Sequence, residues 1–470
     1  MKWILALLMV CSVSLSFSEM APAEDSGIFI DVGQASVKKS LIALTPFQYI
    51  GSQTTNAKHL EAGQNLYRVV LNDLSVSSFF SFIKPEAYIE DPNKVGLKPA
   101  PAVANGFNFQ NWKSIGTEFL VRAAYSVVGD ELSFEVYVYH VPTARLVMGK
   151  SYHGALSAYR KVAHTFSDDL VRSLTGKRGM FNTKLVASRQ DNRFQEGVRG
   201  AGVKEIYILD WDGAAQTKIT SHQSLSLSPA WSTKGDKIAY TAFAYHKAQH
   251  TRNADLFIFD IPTGKRFIVS YRKGINSGAA FLPGDQSMLL TISQEGNPDI
   301  YRMSTDGANL RPVTHGPNHA MNVEPAVSPD GEKIAFSSDR GGRPMVYTMN
   351  MDGGSVKRLT FAGKYNSSPA WSPDGKTLAF AGQDADHFDI FTMSSDGSNL
   401  KRLTDARKTN GKASNNESPS WSPDGRHIVF TSDRTGHSQL FLVNPDGTNE
   451  RQITDDHFNW EKPKWSPYLD

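Results

Sequence analysis

The side chains that could do chemistry in this 470-residue chain are few and dispersed. Thirteen histidines are scattered along it, and only His246 and His250 share a segment at a spacing that could begin a metal site. No acid and no third histidine stands beside them, so solvated loop positions are the expected reading. Asn444-Pro-Asp-Gly lacks the alternating acids of a calcium loop and reads as a turn. The chain has no Gly-x-Ser-x-Gly elbow, which a serine hydrolase of the α/β type requires. Two Asp-Arg pairs, Asp339-Arg340 and Asp433-Arg434, could meet charges on a partner. Ordering of their own loops is the favoured reading, because exposed ion pairs contribute only about 0–1 kcal/mol.

The most conspicuous residues are repeated ones. Ser228-Pro-Ala-Trp-Ser, Glu324-Pro-Ala-Val-Ser-Pro-Asp-Gly, Ser368-Pro-Ala-Trp-Ser-Pro-Asp-Gly, Ser418-Pro-Ser-Trp-Ser-Pro-Asp-Gly and Lys462-Pro-Lys-Trp-Ser-Pro share one pattern, with a degenerate copy at Gly278-Ala-Ala-Phe-Leu-Pro. The equivalent positions Trp231, Phe281, Val327, Trp371, Trp421 and Trp465 are 50, 46, 44, 50 and 44 residues apart. That is the period of a four-stranded propeller blade. A residue type present in nearly every unit serves packing and turns, so the repeated Trp, Pro and Asp are expected to be scaffold.

Each unit reads as four strands. The aromatic position is expected to begin the first. Ser-Pro-Asp-Gly turns the chain, with Pro presetting φ, Asp accepting local backbone bonds and Gly taking the positive φ. Third strands centre on Tyr207, Phe257, Tyr301, Tyr347, Phe391 and Phe441, which counts six blades. The last Trp-Ser-Pro, at Trp465, can complete only the first blade, whose other strands begin near Leu185. Such closure removes an open sheet edge. The Ser-Pro-Asp-Gly and Asp-Gly turns then share one end of the ring. The longer, varied loops share the other, including 245–254 and 405–418, and function is expected there. A metal held in the channel by separate blades, as in a propeller lactonase, or a small solute held as in a sensor, would leave no contiguous motif. Both remain open.

The N-terminal third shows no repeat. Lys2, an apolar run from Trp3 to Val10 and the small-x-small Ala21-Pro-Ala23 read as residues 1–23 of a secretory signal cleaved after Ala23. The single cysteine, Cys11, lies inside it, so no disulfide or thiolate-bound metal is expected in the exported chain. Residues 24–178 should form a small α/β domain. Leu41-Ile-Ala-Leu reads as a buried strand, Ala57 to Leu74 and Tyr159 to Leu174 as amphipathic helices, and Leu132 to Val138 as a half-buried strand. Residues 91–105 read as a surface loop and 176–182 as the boundary to a propeller over 183–470. A formal net charge of +3 with no long Lys/Arg run excludes nucleic acid as the main partner.

Leu41-Ile-Ala-Leu-Thr-Pro-Phe-Gln, Ile28-Phe-Ile-Asp-Val-Gly, the run from Ala163-His-Thr-Phe-Ser-Asp-Asp to Leu174-Thr-Gly-Lys-Arg-Gly-Met-Phe, and the terminal Trp465-Ser-Pro-Tyr-Leu together resemble the TolB family of the Tol-Pal system. The resemblance covers essentially the whole exported chain. It implies a periplasmic, monomeric, non-enzymatic adaptor without cofactor or metal that maintains the outer membrane and helps it constrict at division. It implies two partners. A Pal-like lipoprotein would meet Asn276, Ser277, Gly278, Asn322, Val323 and Glu324, just before two first strands. A TolA-like inner-membrane protein would meet the new N-terminus: Glu24, Asp25, Ser26, Gly27, Ile28, Phe29, Ile30 and Asp31. Asn276 and Glu324 match the family, whereas Ile275 stands where it has histidine and Val323 where it has threonine.

Overall fold

The computed structural model describes residues 39–52, 56–191, 202–246, 251–384, 386–408 and 410–469. The signal segment, Glu24 to Asp31, His250 and the side chain of His246 lie outside the described residues.

The N-terminal domain is a mixed sheet covered on one face by two helices. Its strands run in the order Phe80–Phe82, Ser40–Leu44, Phe119–Val128, Glu131–His140, Arg145–Ala155. The first two neighbour pairs are parallel and the last two antiparallel. Asn56 caps helix Ala57–Val76 by accepting from the His59 amide, and Gly176, at φ 69°, ends helix Tyr159–Thr175. The two helices bury Leu66, Val70, Leu74, Phe166 and Leu170 against Phe119, Val121 and Phe134 of the sheet. Loop 91–105 is held from below by Arg122, which is fully buried and donates to the carbonyls of Pro92, Val95 and Gly96.

The remainder is six four-stranded antiparallel sheets in a ring. Strand Asn459–Trp465 pairs with Lys184–Asp191, so the C-terminal strand is the innermost strand of the first blade, as expected. Closure is secured by Trp465, whose indole Nε1 donates to Thr183 Oγ1 at 2.7 Å. In five of the six blades the threonine after the fourth strand (Thr220, Thr314, Thr360, Thr404, Thr454) accepts from a third-strand amide and locks the outer edge.

Two expectations about strands are corrected. The aromatic position ends the innermost strand rather than beginning it: the strands are Ser226–Trp231, Asn276–Phe281, Asn322–Val327, Tyr365–Trp371, Asn416–Trp421 and Asn459–Trp465. The proline of the motif suggests a break, but each strand carries a β-bulge there, where the missing N–H removes no ladder bond. Segment 245–254 is not a free loop either, since Lys237–His246 and Thr251–Asp260 extend as a paired hairpin through His246 and Thr251.

The boundary at 176–182 is packed. Met180 and Phe181 are buried, and Asp168 accepts from the amides of Phe181 and Asn182. One apolar cluster runs from Leu74 and Phe79 through Phe181 and Trp211 to Leu442 and Trp460, joining the domains in a common core.

Candidate functional site

The bulges set up the channel. Ser228, Gly278, Glu324, Ser368, Ser418 and Lys462 occupy the same position in six consecutive blades, all with φ between 50° and 64°. In five of them a β-carbon is forced into the left-handed region, a conformation tolerated where surrounding structure over-determines it. Together they ring the channel. Lys462 in the first blade and Glu324 in the fourth are three blades apart, hence opposite. Their side chains meet across the channel, Nζ to Oε1 at 3.2 Å. Glu324 also accepts from Ser368 N at 2.8 Å and Ser368 Oγ at 3.1 Å. Burial acts to raise the Glu324 pKa, but Lys462 and the Ser368 bonds outweigh it and hold the carboxyl below its usual range. Glu324 in turn raises Lys462.

This ring corrects the expected placement of the six propeller residues. Asn276, Ser277, Gly278, Asn322, Val323 and Glu324 lie within innermost strands, not in the loops before them. Asn276 and Asn322 are fully buried. Asn276 donates to the carbonyls of Ala254 and Arg272 and accepts from Ser270. Asn322 donates to Asp299 and accepts from Arg340 at 2.6 Å. Asn366 and Asn416 fill the same site in the next two blades, so this asparagine is scaffold that orders the loops above it. Ser277 and Val323 are half-buried at the rim, and Gly278 and Glu324 belong to the bulge ring inside.

Arg340 and Arg434 order loops as expected. Arg340 bonds Asn322, and Arg434 bonds Asn416 and pairs with Glu450. Asp339 and Asp433 cap the amides of Met321 and Asn415.

The two ends of the ring differ. The N-terminal domain docks on the turn end of blades one and six, where Ser78 meets Asn449 at 3.0 Å and Arg426 stacks on Phe79. The opposite end carries exposed Tyr271, Ile275 and Phe361 around loops that precede innermost strands.

A second constellation escaped sequence reasoning. Arg160 bridges Asp210 at 2.7 Å and Asp212 at 2.6 Å, Lys184 pairs with Asp210, and His164 Nδ1 lies 2.9 Å from Asp73. Burial alone would lower His164, but Asp73 and Asp210 raise it to about 9. Asp73 itself is lifted to about 6 by burial, against the pull of His164. His164, Asp210 and Asp212 approach one another closely enough for a metal, as do His387, Asp389 and Asp405. In each set an arginine, Arg160 or Arg402, already occupies the carboxylates. The signal was present in part: Asp210-Trp211 precedes an Asp-Gly turn, and Asp210 stands where blades three to six have Ser304, Asn350, Ser394 and Asn444, with an acid again in the second blade at Asp260.

The TolB beta propeller domain family matches residues 171–469, and the TolB amino-terminal domain family matches 28–147. The Tol-Pal system protein TolB of Desulfosudis oleivorans is 31% identical over 61% of this chain and 60% of its own length. The match therefore spans about three fifths of that relative. A TolB homolog of Chlorobium chlorochromatii is 31% identical over 72% of this chain and 69% of its own. The crystal structure of TolB from Acinetobacter baumannii superposes with a TM-score of 0.74 at 25% identity, covering 94% of this chain and all of that one. With both domain families matched in order and the six-bladed ring closed by its C-terminal strand, the chain belongs to the TolB family.

Proposed function

We propose that this chain is a periplasmic adaptor of the Tol-Pal system that binds and does not catalyse. The propeller end remote from the N-terminal domain holds a Pal-like lipoprotein, and residues 24–31 engage a TolA-like inner-membrane protein. The protein thereby links the two membranes and supports outer-membrane integrity and constriction at division. The observation that carries this reading is the free end itself. Tyr271, Ile275 and Phe361 are 68%, 44% and 75% exposed there, around loops pinned by buried asparagines. Rigid, exposed aromatic and aliphatic side chains are what protein interfaces use as anchors. Within this reading Ser277 and Val323 touch the lipoprotein at the rim. Asn276, Gly278, Asn322 and Glu324 shape that rim from within.

The test is capture of the soluble domain of the organism's own Pal-like lipoprotein by the mature chain. Ile275→Asp and Val323→Asp should each weaken capture at least about tenfold, as loss of an interface anchor does. Unchanged affinity in both would refute the face assignment. Deleting residues 24–33 should abolish only the inner-membrane contact.

A further inference from the structure

The closing strand differs from the other five innermost strands at one more channel position. Two residues past the bulge the other blades carry Ala230, Ala280, Ala326, Ala370 and Ser420, whereas the closing strand carries Lys464. A cavity of about 270 Å3 lies on the turn side of the Glu324–Lys462 pair and is bordered by both residues and by Lys464. Its charged lining is two lysines and one glutamate. Lys462 is met by Glu324. Lys464 has no carboxylate within ion-pair distance among the described residues, and Glu324, the acid nearest it in effect, is already engaged.

We infer that the propeller channel is a binding site for one carboxylate group, held by Lys464. The charge count asks for a single negative charge. A dianion such as phosphate would also face the carboxylate of Glu324, whereas a monoanion neutralises the channel. Ser228 and Ser418 add hydroxyl groups on the bulge ring, and Ala230, Ala280 and Ala326 give a smooth wall for a short apolar body. The space far exceeds the ~10–15 Å3 that one water needs. Burial first, and then the charge of Lys462, push Lys464 down to about 8. The ammonium therefore stays charged at neutral pH with its field offset only in part by Glu324, the situation a bound anion relieves. The site faces the turn end and is separate from the partner surface proposed above.

Calorimetric titration of the mature chain at constant ionic strength tests this, using acetate, N-acetylglycine, the neutral N-acetylglycinamide and inorganic phosphate. The carboxylates should saturate one site and the amide should not bind. N-acetylglycine binding well above acetate identifies the end of a peptide chain as the source, and equal binding identifies a free organic acid. Lys464→Ala should weaken carboxylate binding at least tenfold while melting like the parent, because alanine is the native residue in four other blades. Lys464→Gln, which keeps the side-chain length, should do the same. Ile275→Asp should leave carboxylate binding intact, and Lys464→Ala should leave lipoprotein capture intact. No saturation by either carboxylate, unchanged affinity in both Lys464 variants, or a tenfold preference for phosphate would overturn the site.

Discussion

Lys462 of the closing strand and Glu324 of the fourth blade meet across the diameter of the propeller channel at 3.2 Å. They are separated by 138 positions in sequence and by half the ring in space. The pair ties the strand that completes the first blade to the blade opposite, and it floors the cavity that holds Lys464.

A double-mutant cycle on this pair should report the tie. The side chains are 42% and 30% exposed, so solvent screens much of the attraction. Glu324→Gln and Lys462→Met should each cost about 1–2 kcal/mol in urea unfolding, with the double variant recovering part of the loss. Strictly additive losses would show that the two do not couple.

The domain interface should be pH-dependent through His164. Its unfolded pKa is near ~6.5, and in the fold Asp73 and Asp210 raise it to about 9 against the effect of burial. Its stabilisation is therefore complete below about 6.5 and is lost as pH rises to about 9. Asp73, lifted to about 6, moves stability the same way at lower pH. Asp210 is held far below its ordinary value despite burial, by His164, Lys184 and Arg160, so its contribution disappears only in strong acid. The stability difference between the parent and His164→Gln should shrink by on the order of 2 kcal/mol between pH 6.5 and 9. Parallel pH profiles would remove His164 from the interface.

Arg122 should govern loop 91–105. Burial pushes its guanidinium down to about 10, and its hydrogen bonds go mostly to loop carbonyls. Arg122→Met would leave the Gly96 carbonyl without its donor and the Pro92 and Val95 carbonyls with Gln48 alone, at a cost of about 1–3 kcal/mol. Limited proteolysis should then cut first between Asp91 and Asn105. An unchanged cleavage pattern would mean that the loop holds itself.

Ring closure should depend on Trp465, which is 6% exposed and anchored on Thr183. Trp465→Ala should cost about 3–5 kcal/mol. It should also promote aggregation through the freed edge of strand Lys184–Asp191, seen as a concentration-dependent rise in light scattering. A monodisperse variant with parental stability would contradict the closure argument.

The repeat was legible because its chemistry is local. Pro, Asp and Gly act within four residues, and strand alternation within six, so Trp371-Ser-Pro-Asp-Gly and Trp421-Ser-Pro-Asp-Gly announce the same turn wherever they stand. The family resemblance followed from the same legibility. Asn276 and Asn322 fall inside innermost strands, not before them, because those strands end rather than begin at Phe281 and Val327. Their recurrence as Asn366 and Asn416 marks them as scaffold once the register is known.

The sequence by itself determined six blades, their closure by Trp465, the helices of the N-terminal domain and which end of the ring carries turns, since all of these rest on period and turn residues. Only the tertiary structure decided that Glu324 faces Lys462, that Lys464 meets no acid among the described residues, and that Arg160, His164, Asp73 and Asp210 clamp the domains. Such contacts arise from the summed twist of many strands around a ring, and no local pattern encodes where two distant side chains will converge.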